Sequence, residues 1–414
     1  MATTLDYIEI NGTKVPLIHE EDKRLPIVSM QLVLRNSGSL FDGSHPGLAK
    51  LSARMMNEGT KKLGSTGFAK ALEERAIHLS AHTGTETFVF EAESLKEEFD
   101  RAVELLSQLL GDPNLTQESL EKTKAVTIGS LTRKENDYDY VANISLKELI
   151  FEKTPLANPS SGTPESIKLI KLPDITGFID EHLALERAIV VIGGDISLED
   201  ARKKAASVLS VLKKGSRGGL NYFEASSAAK EKVLKRKTEQ AYIYFGAPYN
   251  MKVDDPDHYK SRVAAFILGA GGFGSRLMEE IRVKRGLAYS AYARTNINRS
   301  NSYFFGYLQT KIESQEEARK TVKDVIAEFV KNGVTQEELD QAKRFLLGSE
   351  PLRVETLSQR LSRTFQEYYR GYEIGHSKHE LELIKTLTLK ELNTFIKKHT
   401  EINQLSFAIV TSDK

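Results

Sequence analysis

The stretch that decides the fold is residues 47–62, which read GLAKLSARMMNEGTKK. On a helix, positions 50, 53 and 54 lie on one face, because residues three and four apart are neighbours there. Lys50, Ala53 and Arg54 occupy these positions. This face therefore carries two cations beside a methyl group.

The same spacing is that of H-x-x-E-H, the inverted zinc-peptidase motif. In that motif two imidazoles bind the metal and a carboxylate activates the metal-bound water. Here Lys50 and Arg54 replace the imidazoles and Ala53 replaces the carboxylate. Cations do not ligate Zn²⁺ and a methyl group cannot act as a general base, so we expect no catalytic zinc at this helix.

Composition limits the class of protein. The length of 414 residues predicts two or more domains, and 58 basic against 57 acidic residues leave no strong field for nucleic acid or anionic membranes. The lack of cysteine excludes disulfides and thiolate catalysis. Met1–Val15 lacks the pattern of a secretory signal, and no apolar run reaches the roughly 18 residues of a membrane span. We expect a soluble, cytoplasmic protein without nucleic-acid or membrane partners.

Segments of the chain repeat at nearly one spacing. Thr116–Lys124 matches Thr335–Lys343 at five of nine positions, 219 residues further on. Phe178–His182 pairs with Phe395–His399, 217 residues further on. Such matches predict two homologous halves of about 200 residues.

A third pair supports the duplication and a polar stretch divides it. Apolar strands that end at Asp195 and Asp413 are 218 residues apart. Between the halves, residues 213–219 read KKGSRGG, a composition typical of linkers. We therefore expect domains at 1–213 and 220–414, joined by a linker at 214–219.

Each half mixes strand and helix patterns. Alternating apolar residues rich in Val, Thr and Phe predict strands, and a helical apolar period predicts helices. Because the two types interleave without a regular βαβ order, we expect an α+β fold with two homologous domains, each a mainly antiparallel sheet covered by helices. The predicted strands are 26–35, 79–92, 241–246 and 302–312, and the predicted helices are 95–110, 117–131, 256–268, 275–284 and 314–332.

With these features the chain resembles the pitrilysin/insulinase (inverzincin) metallopeptidase family, in its short two-domain branch with the processing peptidases. The resemblance covers essentially the whole chain. In that family the third zinc ligand is a Glu on a later helix, and the matching segment here is Leu120–Ser130 (LEKTKAVTIGS). It places Ser130 at the ligand position and Thr123 at a supporting carboxylate. The resemblance thus implies a degenerate zinc site with no metal in this chain.

A second signature of the family is intact. Residues 271–290 read GGFGSRLMEEIRVKRGLAYS and resemble the C-terminal motif, in which an Arg and a Tyr seven positions apart face the active site. These are Arg282 and Tyr289. A guanidinium and a phenol can hold a peptide carbonyl or carboxylate and stabilise an oxyanion. We expect Gly271, Gly272 and Gly274 to form a tight turn that lets the following helix approach the substrate chamber.

The resemblance implies a heterodimeric peptidase. A homologous partner subunit would carry H-x-x-E-H and the zinc, and this chain would supply Arg282 and Tyr289 in trans. The strand containing Thr83–Thr87 aligns with the edge strand that holds peptide substrates in the family. Two alternatives stay open: a purely structural homologue without peptidase activity, and a peptidase that binds metal through His45, His78 or His82.

Three further patterns have simpler interpretations. His78 and His82 form H-x-x-x-H in a strand context, where their Cα atoms are about 13 Å apart, too far for one ion. Residues 269–274 satisfy G-x-G-x-x-G, but no acidic residue follows at the distance that dinucleotide binding requires. The basic segment Lys230–Lys237 is typical of a solvated surface, with contact to a partner as the alternative.

Overall fold

The chain forms two mixed sheets. In a computed structural model, which describes residues 3–413, the first sheet has the strand order β1-β2-β6-β3-β5-β4 and the second β7-β11-β8-β10-β9. One neighbouring pair in each sheet is parallel and the others are antiparallel. The strands are β1 (Thr4–Ile10), β2 (Thr13–Glu21), β3 (Ile27–Arg35), β4 (His78–Thr83), β5 (Thr87–Leu95), β6 (Ala188–Gly194), β7 (Glu231–Lys235), β8 (Gln240–Pro248), β9 (Ala288–Ile297), β10 (Ser302–Lys311) and β11 (Ser406–Thr411).

Helices connect and cover these strands. The helices of the first half are α1 (Leu48–Met56), α2 (Gly64–Glu73), α3 (Phe99–Gly111), α4 (Gln117–Lys134), α5 (Tyr138–Ile150), α6 (Pro164–Leu169), α7 (Leu172–His182) and α8 (Leu198–Leu209). The helices of the second half are α9 (His258–Ala265), α10 (Arg276–Met278), α11 (Gln315–Asn332), α12 (Gln336–Gly348), α13 (Leu357–Arg370), α14 (His376–Thr386) and α15 (Leu389–Lys398). The expected α+β fold is confirmed. Within residues 3–413 no helix is long and apolar enough to cross a membrane.

Contacts divide the chain into two units. Unit 1 comprises the described residues up to Thr132, together with Pro159–Leu220 and Arg353–Tyr369. Unit 2 comprises Arg133–Asn158, Asn221–Leu352 and the described residues from Arg370 onward. Unit 1 thus includes α13 from the second half of the sequence, and unit 2 includes α5 from the first. The domains expected at 1–213 and 220–414 are each one continuous stretch of chain, whereas each unit combines segments from both halves. Residues 1, 2 and 414, at the ends of the expected domains, lie outside the described residues.

The expected linker is bound to unit 1. Arg187 donates a 2.9 Å hydrogen bond from Nε to the Ser216 carbonyl, and Asn36 donates from Nδ2 to the Arg217 carbonyl at 3.1 Å. These side chains satisfy backbone acceptors that a free linker would leave to water.

Alternating side chains in the strands of unit 1 build a core on both faces of its sheet. In β2, Leu17 belongs to the larger cluster with α1, α3 and α7, whereas its neighbour Ile18 faces α13. The period of two places successive residues on opposite faces. Leu361 of α13 is buried there, with Leu357 and Phe365 packed beside it at helical spacing. Both faces are therefore covered, which explains why every residue of β6 is buried.

The sheet of unit 2 repeats this arrangement. The order β2-β6-β3-β5-β4 corresponds to β7-β11-β8-β10-β9, strand for strand. In β8, Ile243 faces the larger cluster and Tyr244 faces the cluster that includes Val141 and Leu146 of α5. Helices α5 and α13 therefore take the same place on the two sheets. This agreement confirms the internal duplication that the sequence predicts.

Candidate functional site

Helix α1 begins at a buried, hydrogen-bonded turn. Gly47 has φ +94°, and a Cβ there would lie 2.9 Å from the backbone of Gly162. The Asp42 carboxylate accepts hydrogen bonds from the backbone N–H of Gly47 at 2.7 Å and of Ala49 at 2.8 Å. Burial raises the pKa of Asp42 to about 7, against the effect of these two donors. The turn fixes the direction of α1 and hence of the side chains at 50, 53 and 54.

Both cations on α1 are hydrogen-bonded inside unit 1. Lys50 Nζ donates to Ser161 Oγ at 2.8 Å, and Arg54 Nη1 donates to Thr127 Oγ1 at 2.7 Å. Ala53 lies between them and is only 2% exposed. The two side chains join α1 to α4 and to the turn before α6.

Helix α4 carries Ser130 at the expected third-ligand position and Thr123 at the expected supporting position, with Thr127 between them. Thr127 Oγ1 donates to the Thr123 carbonyl at 2.7 Å, and Ser130 lies one turn further along the same face. Thr123 is buried, and among residues 3–413 its Oγ1 has no hydrogen-bond partner. Hydroxyl, ammonium, guanidinium and methyl groups do not form the His and carboxylate set that zinc peptidases use. The residues present do not fit a catalytic zinc.

Histidines elsewhere in unit 1 do not replace the missing ligands. His78 and His82 both lie on β4 and are exposed, as the strand prediction requires. His45 contacts the neighbouring Ser44 hydroxyl at 3.3 Å. Over residues 3–413, no group of three or more His, Asp and Glu side chains is placed to hold a metal ion. The alternative of a metal bound through these histidines has no supporting geometry.

The expected strand through Thr83–Thr87 is wrong. Strand β4 ends at Thr83 and β5 begins at Thr87, so Gly84, Thr85 and Glu86 form a turn of a hairpin. Carbonyls of all three turn residues accept backbone hydrogen bonds from 37–40, at 3.0–3.1 Å. Gly38 makes this approach possible, because a Cβ there would lie 2.5 Å from the turn backbone. The backbone carbonyls of the turn are therefore already hydrogen-bonded within the chain. Strand β4 is one of the two edge strands of this sheet.

The glycine segment of unit 2 lies between two π-helical segments. Helix α9 continues as a π-helix over Phe266–Ala270, and α10 continues as a π-helix over Glu279–Val283. Residues 271–275 turn between them, with Gly272 at φ +65° and Gly274 at φ +91°. Such backbone favours glycine. The G-x-G-x-x-G pattern therefore follows a helix, whereas a dinucleotide site requires a strand there.

The intact signature is fixed to the body of unit 2 by Arg276. Its Nε and Nη2 donate to the two carboxylate oxygens of Glu338 at 2.6 and 2.8 Å, and Nη2 also donates to the Gly333 carbonyl at 2.8 Å. Burial is the largest single effect and opposes ionisation of Glu338, but the hydrogen bonds from Arg276 and Thr335, together with the charge of Arg276, hold the pKa of this carboxyl below its usual range. This bidentate pair joins α10 to α12.

Two backbone irregularities place Arg282 and Tyr289. Arg282 lies in the π-helical segment, where Lys284 N bonds to the Glu279 carbonyl five residues back. Tyr289 lies in β9, the edge strand, where the register with β10 shifts between Leu308 and Thr310. π-helical turns and β-bulges both redirect side chains and are frequent at functional sites. Here they bring the two side chains together.

The Arg282 guanidinium lies over two exposed aromatic rings. Its central carbon lies 4.3 Å from the centroid of the Tyr289 ring and 4.7 Å from that of the Phe273 ring. Tyr289 is 82% exposed and Phe273 is 68% exposed. Among residues 3–413 the guanidinium makes no hydrogen bond or ion pair. Its donors are available to a ligand.

Neighbouring cations are paired within the same segment. Lys284 Nζ donates to Glu280 Oε1 at 2.6 Å and Arg285 Nη1 to Glu280 Oε2 at 2.5 Å. Hydrogen bonds from Lys284 and then Arg285 lower the pKa of the Glu280 carboxyl. The sequence motif predicts roles for Arg282 and Tyr289 but none for Phe273. The signal that points to Phe273 is a large apolar residue between two glycines, which favour a turn.

Comparisons with known proteins agree with this description. Residues 17–164 match the family model described as insulinase (peptidase family M16), and residues 170–346 match the model described as peptidase M16 inactive domain. A protein named non-peptidase homolog YmxG, from Helicobacter pylori, is 47% identical over 413 residues, which cover 100% of this chain and 95% of that protein.

Solved structures show the same fold. A crystal structure titled peptidase M16 inactive domain, from Pseudomonas fluorescens, matches with a TM-score of 0.91 and 25% identity over 99% of this chain and 98% of that chain. A protease from Helicobacter pylori matches with a TM-score of 0.85 over 99% of both chains, and its 16% identity supports the fold alone. The sequence matches cover both halves of the duplication. The chain belongs to the insulinase (M16) peptidase family.

Proposed function

We propose that this chain is the non-catalytic, substrate-clamping subunit of a heterodimeric zinc-dependent peptidase. In this proposal it donates Arg282 and Tyr289 to the active site of a homologous partner. The observation that carries the proposal is the Arg282 guanidinium, which is stacked on two rings while its hydrogen-bond donors stay unused within residues 3–413. A purely structural subunit does not require an exposed, oriented cation of this kind.

The emptied helix supports the first half of this proposal. Lys50 and Arg54 use their donors on Ser161 and Thr127, and the buried methyl of Ala53 offers no base. Hydrolysis by this chain alone would need groups that these positions do not provide. The relative from Helicobacter pylori, named a non-peptidase homologue, agrees with an inactive role.

The two side chains suit the charge that develops during peptide hydrolysis. Zinc bound by the partner would supply the activated water and polarise the scissile carbonyl. The guanidinium of Arg282 and the phenol of Tyr289 would donate hydrogen bonds to the carbonyl oxygen as it becomes an oxyanion. Stacking on the rings keeps the guanidinium oriented before the substrate arrives, so little reorganisation is needed.

A mixing experiment tests the proposal. Cleavage of an internally quenched peptide is measured with this chain alone, with its H-x-x-E-H-bearing homologue from the same cell, and with both, and zinc is quantified in each sample. We expect activity only in the mixture, with one zinc for each pair of chains. Activity of this chain alone with bound zinc would overturn the proposal. A stable pair without any cleavage would favour the structural alternative.

A further inference from the structure

Arg282 differs from the other basic residues around it. Lys284 and Arg285 both pair with the carboxylate of Glu280, and the charge of Glu279 also acts on Lys284, so two carboxylates oppose these two cations. Arg282 is half-buried and lies over two aromatic rings. A guanidinium held over a ring face by a cation–π contact can still donate hydrogen bonds from its in-plane N–H groups. The segment therefore presents a single oriented cation.

We propose that Phe273 positions Arg282, and that Phe273, Arg282 and Tyr289 together form a binding site for the C-terminal carboxylate of a peptide. The inference rests on the proposed function only in taking a peptide as the ligand. In peptide hydrolysis the oxygen of the scissile carbonyl becomes one oxygen of the new C-terminal carboxylate. A site that binds this oxygen during the attack of water is therefore also suited to bind the cleavage product that ends in this carboxylate.

Phe273 is placed for this role by its backbone. Gly272 and Gly274 on either side have positive φ, and a Cβ at Gly274 would lie 2.9 Å from Gln341 Nε2. Between them the ring projects outward, 68% exposed, and still reaches the guanidinium. A large apolar side chain that contacts no core cluster gains little from burial. Its contact with Arg282 is what the turn provides.

The geometry favours a carboxylate over a phosphate. The planar fork of a guanidinium matches two carboxylate oxygens through parallel hydrogen bonds. A phosphate dianion would require further positive charge, and the cations that follow in the sequence, Lys284 and Arg285, already pair with Glu280. One unpaired cation balances one carboxylate. The Tyr289 hydroxyl adds a neutral donor that does not change this balance.

Binding by this chain alone tests the inference without a partner or turnover. A fluorescein-labelled peptide of alanine, serine and leucine is prepared with a free C-terminal carboxylate and, separately, with a C-terminal amide. Fluorescence anisotropy then gives the dissociation constant of each peptide. We expect the free acid to bind roughly tenfold more tightly, which corresponds to about 1.4 kcal/mol. Equal affinities would overturn the inference.

Variants separate the ring of Phe273 from its bulk. Phe273→Leu removes the ring and is expected to abolish most of the preference for the free acid, whereas Phe273→Tyr keeps the ring and the preference. Arg282→Lys keeps the charge without the planar fork, and we expect it to lose the preference as well. Full preference in Phe273→Leu would show that the ring has no positioning role.

An NMR measurement reports the stack directly. The Nε–Hε signal of Arg282, observed after labelling arginine with ¹⁵N, is expected to be shifted by the currents of both rings. It should move in Phe273→Leu and stay in Phe273→Tyr, and no movement in either would contradict the stack.

If the acid preference is present while mixtures with the homologue cleave nothing, the carboxylate site stands and the proposed function fails. If cleavage depends on Arg282 but the acid and the amide bind equally, the proposed function stands and the carboxylate site fails.

Discussion

The cations of the emptied helix in unit 1 and the cation of the signature segment in unit 2 are held in different ways. Lys50 and Arg54 each donate a hydrogen bond to a hydroxyl group of another element, at 2.8 and 2.7 Å. The guanidinium of Arg282 instead lies over two rings and makes no hydrogen bond within residues 3–413. Lys50 and Arg54 thus donate hydrogen bonds inside the protein, whereas the N–H donors of Arg282 remain available to a ligand.

The difference separates a structural use of charge from a binding use. A half-buried cation must recover the hydration that it loses, and Arg54 recovers it from Thr127. Arg282 contacts two aromatic rings, whose cation–π attraction offsets part of the hydration that it loses. The same residue type therefore serves as an internal brace on α1 and as a presented donor in unit 2. The following predictions test this contrast.

The largest expected effect is a gain of zinc binding in unit 1. The quadruple variant Lys50→His, Ala53→Glu, Arg54→His and Ser130→Glu restores two imidazoles, the base and the third ligand. Because Arg54 already reaches α4, we expect the new ligands to converge and to bind Zn²⁺ with a Kd at or below about 1 μM, roughly −8 kcal/mol. Isothermal titration calorimetry and zinc content measure this binding.

The matched control for this variant lacks the change at position 53. The triple variant Lys50→His, Arg54→His and Ser130→Glu keeps all three ligands, since the Glu of the motif acts as a base and not as a ligand. It should bind zinc as tightly as the quadruple variant. Failure of both variants to bind zinc, with the fold intact by circular dichroism, would mean that positions 50, 54 and 130 do not converge.

The next effect concerns turnover by the proposed heterodimer. Arg282→Ala removes an oxyanion donor and should lower turnover of the mixture on the order of 10²-fold, about 2.7 kcal/mol, and Tyr289→Phe should act in the same direction. Arg285→Ala is the matched control, because its guanidinium is already paired with Glu280 and Lys284 remains to balance that carboxylate. Equal losses in Arg282→Ala and Arg285→Ala would mean that turnover depends on the overall positive charge of the segment and not on a hydrogen bond from Arg282.

Much of this structure could be predicted from the sequence, because the patterns involved are local or repeat. Apolar alternation identified β3, β8 and β10, and the repeat spacing predicted two similar sheets. The spacing of H-x-x-E-H also predicts that Lys50, Ala53 and Arg54 stand at the three positions of that motif. Each of these conclusions depends on which residues share a face of one element, and sequence records that relation directly.

The features that sequence did not predict depend on contacts between distant residues. An apolar face on α5 or α13 indicates that the helix is buried but not which sheet it packs on. The sequence therefore does not predict that α5, from the first half, packs on the sheet of unit 2 and that α13, from the second half, packs on the sheet of unit 1. The alternating pattern predicts a strand through the turn at Gly84, because the alternation continues on both sides of that turn. Ser161 could not be identified as the partner of Lys50, since it lies 111 residues further along the chain.

The smallest effects compare two arginine braces, Arg276 and Arg54. Arg276→Ala removes a bidentate bond to a carboxylate and leaves Glu338 partly buried without its cation, so we expect a loss of about 2 kcal/mol in the free energy of unfolding. Arg54→Ala should cost about 1 kcal/mol, because Thr127 Oγ1 still donates to the Thr123 carbonyl and no buried donor is left unpaired. Chemical denaturation at neutral pH measures both losses.

The two losses should also differ in their pH dependence. The pKa of Glu338 is lower in the folded chain than its usual value of 4.5, so its pairing with Arg276 stabilises the fold above that value and is lost as the pH falls through the folded pKa. The cost of Arg276→Ala should therefore shrink in denaturation curves recorded below about pH 4.5. The cost of Arg54→Ala should stay constant over the same range, because its partner is a hydroxyl group that does not titrate. A cost of Arg276→Ala that does not change with pH would mean that the guanidinium acts there mainly through its bond to the Gly333 carbonyl and its packing on Phe329.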